Sequence, residues 1–510
     1  MRALIALCAL GIFPPLAADE ARRTAFPPLE IDPVSRELAA RAQRCSYSWR
    51  DLIDMALWAS GAEEFPPRNQ RTLPTGTSYR DIIAGAVEEM VAARNLPAGP
   101  HERGEYILAF LYRRFLKTYS LTQTRLDTLL TTGRYNCVSS AVLYAIFAEA
   151  ASLEISGVVT RDHAFVTVAA ENDYIDVETT NAWGFDPGNR REFQNDFGKV
   201  TGFVYVPPGN YRNRVNITPL ELVSLIFSNR IAELEKQGNF AAAVPLAMKR
   251  AAFLAGRQNP TDSELFAGGE RDLQDRLLNY GVSLSVSGRE SDALEWAAFV
   301  AEWAGGAENS AAGISGAGTG PRWNEFAFAA LNNLIVRNLG ANRPEAAQEN
   351  LSRYGGLVSA AERASLESTI MLAGLAARIN RRGNDAAALL RDIDAARATG
   401  GINQVRAEEL RTAVIVNEGS RIAGAEGPLA AAAYLEAAIA GYGENAQLAE
   451  ALRVHRQNRT VELHNAFARL YNRGSFMAAR DQARSALEEF PGNRQLEQDL
   501  RLAEDALRRR

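Results

Sequence analysis

From 138 to 153, Ala, Leu, Ile and Phe recur at helical spacing with Ser139 and Ser140 in the first turn, which predicts a helix opened by Cys137. After Gly157 the period changes from helix to strand. The runs 157–160, 163–169 and 174–180 read as strands, and the polar break Glu171-Asn172-Asp173 makes the last two a β-hairpin. Upstream, helical runs are expected at 32–42, 48–60, 79–94 and 102–118, separated by Pro- and Gly-containing pieces such as Phe65-Pro66-Pro67. The last of them carries Tyr106, Ile107, Phe110, Leu111 and Phe115 on one stripe and should pack under the Cys137 helix. One more strand is expected at 201–206, stopped by Pro207-Pro208-Gly209, giving a small sheet of about four strands packed by helices, an α+β domain.

Everything from about 219 onward is helical, Ala-rich and repetitive. A turn glycine is followed by a small residue at Gly238/Ala243, Gly288/Ala293, Gly383/Ala388, Gly427/Ala432 and Gly474/Ala479, with a variant at Gly340/Ala346. Small residues there let antiparallel helices approach closely. The chain is thus divided into 19–130, a helical part of the first domain; 131–216, its core; and 217–510, a helical-hairpin array with a flexible loop at 305–320.

Closing the hairpin about its break places His163 opposite Thr180, and period-two alternation puts His163, Asp176 and Glu178 on one face. Glu178, the near-diagonal neighbour of His163, is closer than Asp176. A thiol at a helix start, facing a strand with a histidine and a carboxylate to orient it, is the layout of cysteine acyl transfer. The helix-opening Cys137, His163-Ala164-Phe165 and Glu178-Thr179-Thr180 resemble the transglutaminase-like branch of the papain-type superfamily. Its core reads as a helix-opening Cys, a strand with His-Ala-aromatic and a strand ending in Asp-x-Thr. The resemblance covers roughly 130 to 206. It implies a papain/transglutaminase-like helix-plus-antiparallel-sheet domain with Cys137 as nucleophile, His163 as general base and Glu178 as orienting acid, Asp176 being the alternative acid. The chain departs from the pattern in having Glu for Asp at 178, and Phe165 where the family often has Trp. The last helical unit, with Gly474, Ala479, Ala486 and Pro491, resembles the tetratricopeptide repeat (TPR), so the array is expected to be an all-α, TPR-like solenoid. Turn glycines 43–52 residues apart exceed the spacing of about 34 in a regular array, which calls for longer helices or inserted loops.

An ordinary thiol, with a pKa near 8.5, is only a few per cent thiolate at neutral pH, and making thiolate the majority form takes roughly 2.7 kcal/mol. A helix N-terminus supplies about 0.3–1 kcal/mol at exposed sites and up to about 2 in favourable ones. An adjacent imidazolium is therefore required, and His163 is its candidate. The Cys137 N–H is the natural oxyanion donor, with Asn136 or Tyr135 as candidates for the second.

The chain has 510 residues, 23% of them charged, and a net charge of -5, too mild for a nucleic-acid partner. Met1-Arg2, an apolar run and Pro14-Pro15-Leu16-Ala17-Ala18 have the form of a secretory signal cleaved after Ala18, so the mature protein is expected to be exported, periplasmic or extracellular. Cys8 lies inside that segment. A Cys45–Cys137 disulfide is the competing use of the thiol outside a reducing compartment. No later stretch is long and apolar enough to span a membrane. No His-Glu-x-x-His, Cys-x-x-Cys or P-loop occurs, Gly316-Ala317-Gly318-Thr319-Gly320 follows no strand, and no metal or cofactor is expected. The acidic hairpin tip reads as solvated rather than as a calcium site. These features fit an exported cysteine-dependent amide hydrolase or acyl transferase whose repeats bind a polypeptide partner or substrate. The competing reading is a non-catalytic exported interaction scaffold with a degenerate transglutaminase-like domain.

Overall fold

The computed structural model describes residues 26–44, 47–62, 78–170, 173–207, 209–255, 261–306, 320–381 and 385–509. The expected signal segment, Cys45, Glu171-Asn172 and residues 307–319 of the glycine-rich loop lie outside them. The chain divides into two compact units, Met1–Ala330 and Leu331–Arg510.

In the first unit α1 (Pro33–Ala42), α2 (Trp49–Ser60), α3 (Tyr79–Val91) and α4 (Pro100–Arg114) precede a two-stranded parallel sheet, β1 (Thr118–Tyr119) with β2 (Arg134–Tyr135), that brackets α5 (Leu126–Thr132). Then comes α6 (Cys137–Ala150), whose residues from Cys137 to Ala148 are all buried. A helix apolar on every side has to lie at the centre of its unit. It packs against α2, α4, β4 (Ala164–Ala170) and α8 (Pro219–Lys236). Phe147 meets Phe110 and Phe115, and the Tyr144 hydroxyl donates to the Gly104 carbonyl. Gly104 has no room for more: a Cβ there would lie 2.6 Å from the Phe185 ring.

Beside α6 lies a four-stranded antiparallel sheet in the order β5 (Asp173–Val177), β4, β3 (Ile155–Val159), β6 (Val215–Ile217). The β4–β5 ladder pairs Thr167 with Asp176 and Val166 with Val177, a register that extrapolates to His163 opposite Thr180, as the hairpin argument expects. The fourth strand is a correction. Residues 201–206 do not form it: α7 (Arg191–Thr201) ends at Gly202, with φ +77°, and Phe203 to Val206 continue as open chain. β6, expected only as the exit from the domain, takes that place. Thr118, expected to end a helix, lies instead in β1.

The expected class is overturned as well. With 71% of the described residues helical and 6% in strands, the chain is predominantly helical rather than a helix-plus-antiparallel-sheet domain followed by repeats. The strand-like runs are real but short, β4 being the longest at seven residues. The apolar surface of α6 is covered mainly by helices. The first helix beyond 217 belongs to this unit: α8 starts on the capping box of Thr218 and Glu221 and sets Phe227 edge-on against Trp58 of α2 at 4.8 Å.

Three further helices, α9 (Phe240–Leu254), α10 (Gly269–Val286) and α11 (Glu290–Ala304), continue the first unit in pairs turned at Gly238 and Gly288, both with left-handed φ. The boundary between the units falls inside α12 (Pro321–Gly340). The second unit continues with α13 (Pro344–Tyr354), α14 (Ala360–Ile379), α15 (Ala386–Ala398), α16 (Gln404–Glu426), α17 (Pro428–Tyr442), α18 (Ala446–Asn472), α19 (Phe476–Glu489) and α20 (Arg494–Arg508). Ala243, Ala293, Ala432 and Ala479 are buried, while in the variant hairpin Ala347 rather than Ala346 is. The wide glycine spacing comes largely from first helices of 18 to 27 residues. Among the described residues no helix is long and apolar enough to cross a membrane.

Because Phe147 is wholly enclosed by other side chains, Phe147→Ala is expected to destabilise the first unit by about 3–5 kcal/mol, through lost transfer energy and the cavity left behind. Chemical denaturation followed by circular dichroism measures it.

Candidate active site

Asn136, extended and buried, follows β2 and caps α6. Its Oδ1 accepts from the Ser139 N–H at 3.0 Å, and its own N–H donates to Ser139 Oγ at 2.9 Å. The next residue, Cys137, is the first of the helix, so its N–H has no carbonyl a turn behind it, and it finds no acceptor among the described residues. The thiol is free and buried.

His163 stands just before β4, where its carbonyl accepts from the Thr160 N–H at 2.9 Å and fixes the turn. Its Nε2 lies 2.7 Å from Glu178 Oε2, and both side chains are buried. Glu178 spends its other oxygen, Oε1, on the Thr180 hydroxyl at 2.7 Å and the Thr180 N–H at 3.2 Å. With Nε2 taken, Nδ1 is the nitrogen left for sulfur. It is buried and makes no hydrogen bond of good geometry. No hydrogen bond joins Nδ1 to the thiol in this structure, and Cys137 bears on the ring only as one of the groups that raise its pKa. Burial alone would push the imidazole down. The Glu178 charge, together with the influence of Cys137 and the bond to Glu178, outweighs burial and pushes its pKa up to about 10, so the ring is an imidazolium at neutral pH.

Both alternatives to these roles are engaged elsewhere. Asp176 receives two bonds from the Arg214 guanidinium, each 2.9 Å, and one from the Tyr205 hydroxyl, which removes it as the acid for His163. Asn136 is the helix cap, with Nδ2 donating to the Leu121 carbonyl at 3.1 Å, and Tyr135 shares its hydroxyl with Tyr112 and the Thr180 carbonyl. Both side chains are thus engaged in holding the helix start and its neighbouring strand, Asn136 keeping one Nδ2 hydrogen without a partner among the bonds described.

Several residues that shape the site carry no sequence signal of their own. The Tyr112 hydroxyl donates to the Thr179 carbonyl at 3.1 Å, and Ser140 of α6 bonds Thr179 Oγ1 at 2.8 Å, tying the helix to the segment that presents Glu178. The loop behind Glu178 closes on itself, Glu178 N–H to the Gly184 carbonyl at 2.7 Å, and a Cβ at Gly184 would fall 1.8 Å from the Glu178 carbonyl oxygen. Phe197 and Phe203 lie 5.5 and 5.2 Å from the His163 ring and cover it. Arg214, over the Phe165 ring at 5.1 Å, comes from beyond the expected sheet. No three of the described His, Cys, Asp and Glu residues are grouped so as to hold a metal ion.

No family model matches the chain, and no curated protein does. Among solved structures, the crystal structure of menin that reveals its binding site for Mixed Lineage Leukemia (MLL) protein is similar at 12% identity. The match covers 75% of this chain and 91% of that one with a TM-score of 0.31, too low to bear on fold or site.

A ring whose folded pKa of about 10 exceeds its ordinary 6.5 contributes stability that is complete below about 6.5 and is lost as pH rises toward 10. The gap in unfolding midpoint between the wild type and Glu178→Gln should therefore be widest near pH 6 and shrink by pH 10. Thermal melts across that range check it. Gly184→Ala, which forces the loop away from Glu178, is expected to reduce the same gap at every pH.

Proposed function

We propose that the chain is an exported cysteine-dependent amide hydrolase or acyl transferase of transglutaminase-like chemistry, whose helical hairpins bind a polypeptide partner or substrate. The observation that carries this reading is His163, buried, held at Nε2 by Glu178 at 2.7 Å, and left with an unpartnered Nδ1 for the thiol of Cys137. An imidazolium beside a thiol at a helix start favours the thiolate, the nucleophilic form.

In that chemistry the Cys137 sulfur attacks an amide carbonyl carbon, the C–S bond forms and the carbonyl π pair moves onto oxygen. The Cys137 N–H is placed to receive that charge. As the C–N bond breaks, Nδ1 of His163 gives its proton to the leaving nitrogen, and an acyl thioester remains on Cys137. A water then attacks the thioester, the now neutral His163 takes its proton, and the acid leaves with the thiolate restored. An amine in place of water gives transfer. Hydrolysis is the favoured outcome, because water is always present and no amine-binding feature accompanies the site.

The non-catalytic scaffold remains the second reading, favoured by the burial of all three side chains, with Phe197 and Phe203 against the His163 ring. Alkylation separates the two. With iodoacetamide and peptide mapping to resolve the cysteines, the enzyme reading expects Cys137 of the native chain to react at a rate nearly flat from pH 6 to 9, and His163→Ala to restore a rate that climbs with pH. Equal profiles in the two proteins favour the scaffold. Envelope extracts incubated with the mature protein, against Cys137→Ala as control, then report the substrate as altered peptides.

A further inference from the structure

The reaction just described leaves one donor to an oxyanion, the Cys137 N–H, and such sites work with two or more. Among the polar side chains on the elements that meet at the start of α6, most are already bonded to one another. Asn136 caps the helix, Tyr135 and Tyr112 share a bond, Ser140 holds Thr179, and Thr180 holds Glu178. One is not. The hydroxyl oxygen of Tyr119 is buried and has no hydrogen-bond partner.

An unpaired buried hydroxyl costs about 1–3 kcal/mol, so a structure keeps one for a reason. Tyr119 is held in place by backbone: β1 pairs in parallel with β2, Tyr119 stands in register with Tyr135, and the Ser120 N–H donates to the Tyr135 carbonyl at 2.7 Å. Tyr135 is two residues before Cys137, so the pairing anchors Tyr119 beside the strand that runs into the helix start. The rings of Tyr119 and Tyr135 meet edge to face at 6.0 Å, which limits how far the phenol can swing. Its hydroxyl feels the charges of both Cys137 and Glu178, and with burial these hold it protonated well above the ordinary tyrosine range. A phenol in that state donates and does not titrate.

We propose that Tyr119 is a catalytic residue, its hydroxyl being the second oxyanion donor and acting with the Cys137 N–H on the oxygen of the acyl group under attack. The assignment rests on the acyl-transfer reading above. It also accounts for the two-residue sheet, which serves to hold a phenol beside a helix start.

The test compares two reactions of the same sulfur in the full chain. Acylation by p-nitrophenyl acetate passes through an oxyanion: the thiolate attacks the carbonyl carbon, the charge rests on oxygen, and p-nitrophenolate leaves as the thioester forms. Alkylation by iodoacetamide displaces iodide at a saturated carbon and forms no oxyanion. Tyr119→Phe removes one oxygen that holds no partner, so no group is orphaned by the change. It is expected to slow the Cys137-dependent p-nitrophenolate burst about 100-fold while alkylation proceeds at the wild-type rate. An unchanged burst in Tyr119→Phe overturns the assignment and leaves the acyl-transfer reading intact. Equal slowing of both reactions also overturns it, since Tyr119 would then be acting on the sulfur rather than on an oxyanion. A wild-type burst no larger than that of Cys137→Ala removes the acyl-transfer reading, and the oxyanion role with it.

Discussion

The bond between His163 and Glu178 is the interaction on which the first unit's chemistry depends, and it is an expensive one. Two charges taken from water lose several kcal/mol of hydration each, and only close geometry with every remaining lone pair satisfied repays that loss. Here the geometry is 2.7 Å, and the second carboxylate oxygen takes two bonds from Thr180. Removing one member of such a pair is destabilising by about 3–5 kcal/mol because the other is stranded. A structure that merely needed to fill this place would do so more cheaply with apolar side chains. The retention of the pair is an argument for use.

Holding Glu178 still is the work of the elements around it. The strand has already left the β4–β5 ladder at that point, so the backbone from 178 to 180 cannot rely on sheet hydrogen bonds. Three substitutes replace them: the loop closed by Gly184, the Tyr112 hydroxyl on the Thr179 carbonyl, and the bond from Ser140. Ser140 matters most to the chemistry, because it belongs to the first turn of α6 and so ties the carboxylate's segment to the helix that presents the sulfur. The polar first turn of an otherwise apolar helix is thereby explained. Ser139 completes the cap and Ser140 sets the distance between the two halves of the site.

How much of this was legible depended on whether it was local. The helix start at Cys137 and the pairing of the two strands that follow it are read from periodicity over a few residues and are present, although the ladder stops at Val166 with Val177, short of His163 and Thr180. Asp176 and Glu178 share a face, and the hairpin geometry ranked Glu178 first with Asp176 as the alternative; what takes Asp176 out of reach is Arg214, thirty-eight residues away, which claims it. The fold class was misjudged for a related reason. Strand-like runs at 157–180 are distinctive in sequence, but the helices that cover α6 come from several distant segments, and it is they that set the class. The extended pattern at 201–206 reflects aromatic residues needed over His163, not a strand partner. A two-residue parallel pairing such as β1 with β2 leaves no period at all, so Tyr119 had no signal.

Thr180 also accounts for the place where the chain departs from the Asp-x-Thr pattern. Had the ladder continued, Thr180 would face His163 and Glu178 would lie on the diagonal, about 7–8 Å away, but the strand ends at Val177 and both Glu178 and Thr180 lie in the segment that follows. From that position outside the strand the longer glutamate side chain reaches Nε2 of His163 at 2.7 Å. Thr180 bonds the carboxylate from the side, through hydroxyl and amide together, and restrains the longer side chain. Reach and restraint are thus supplied by different residues, and the substitution of Glu for Asp is compatible with an oriented imidazole only because Thr180 is beside it.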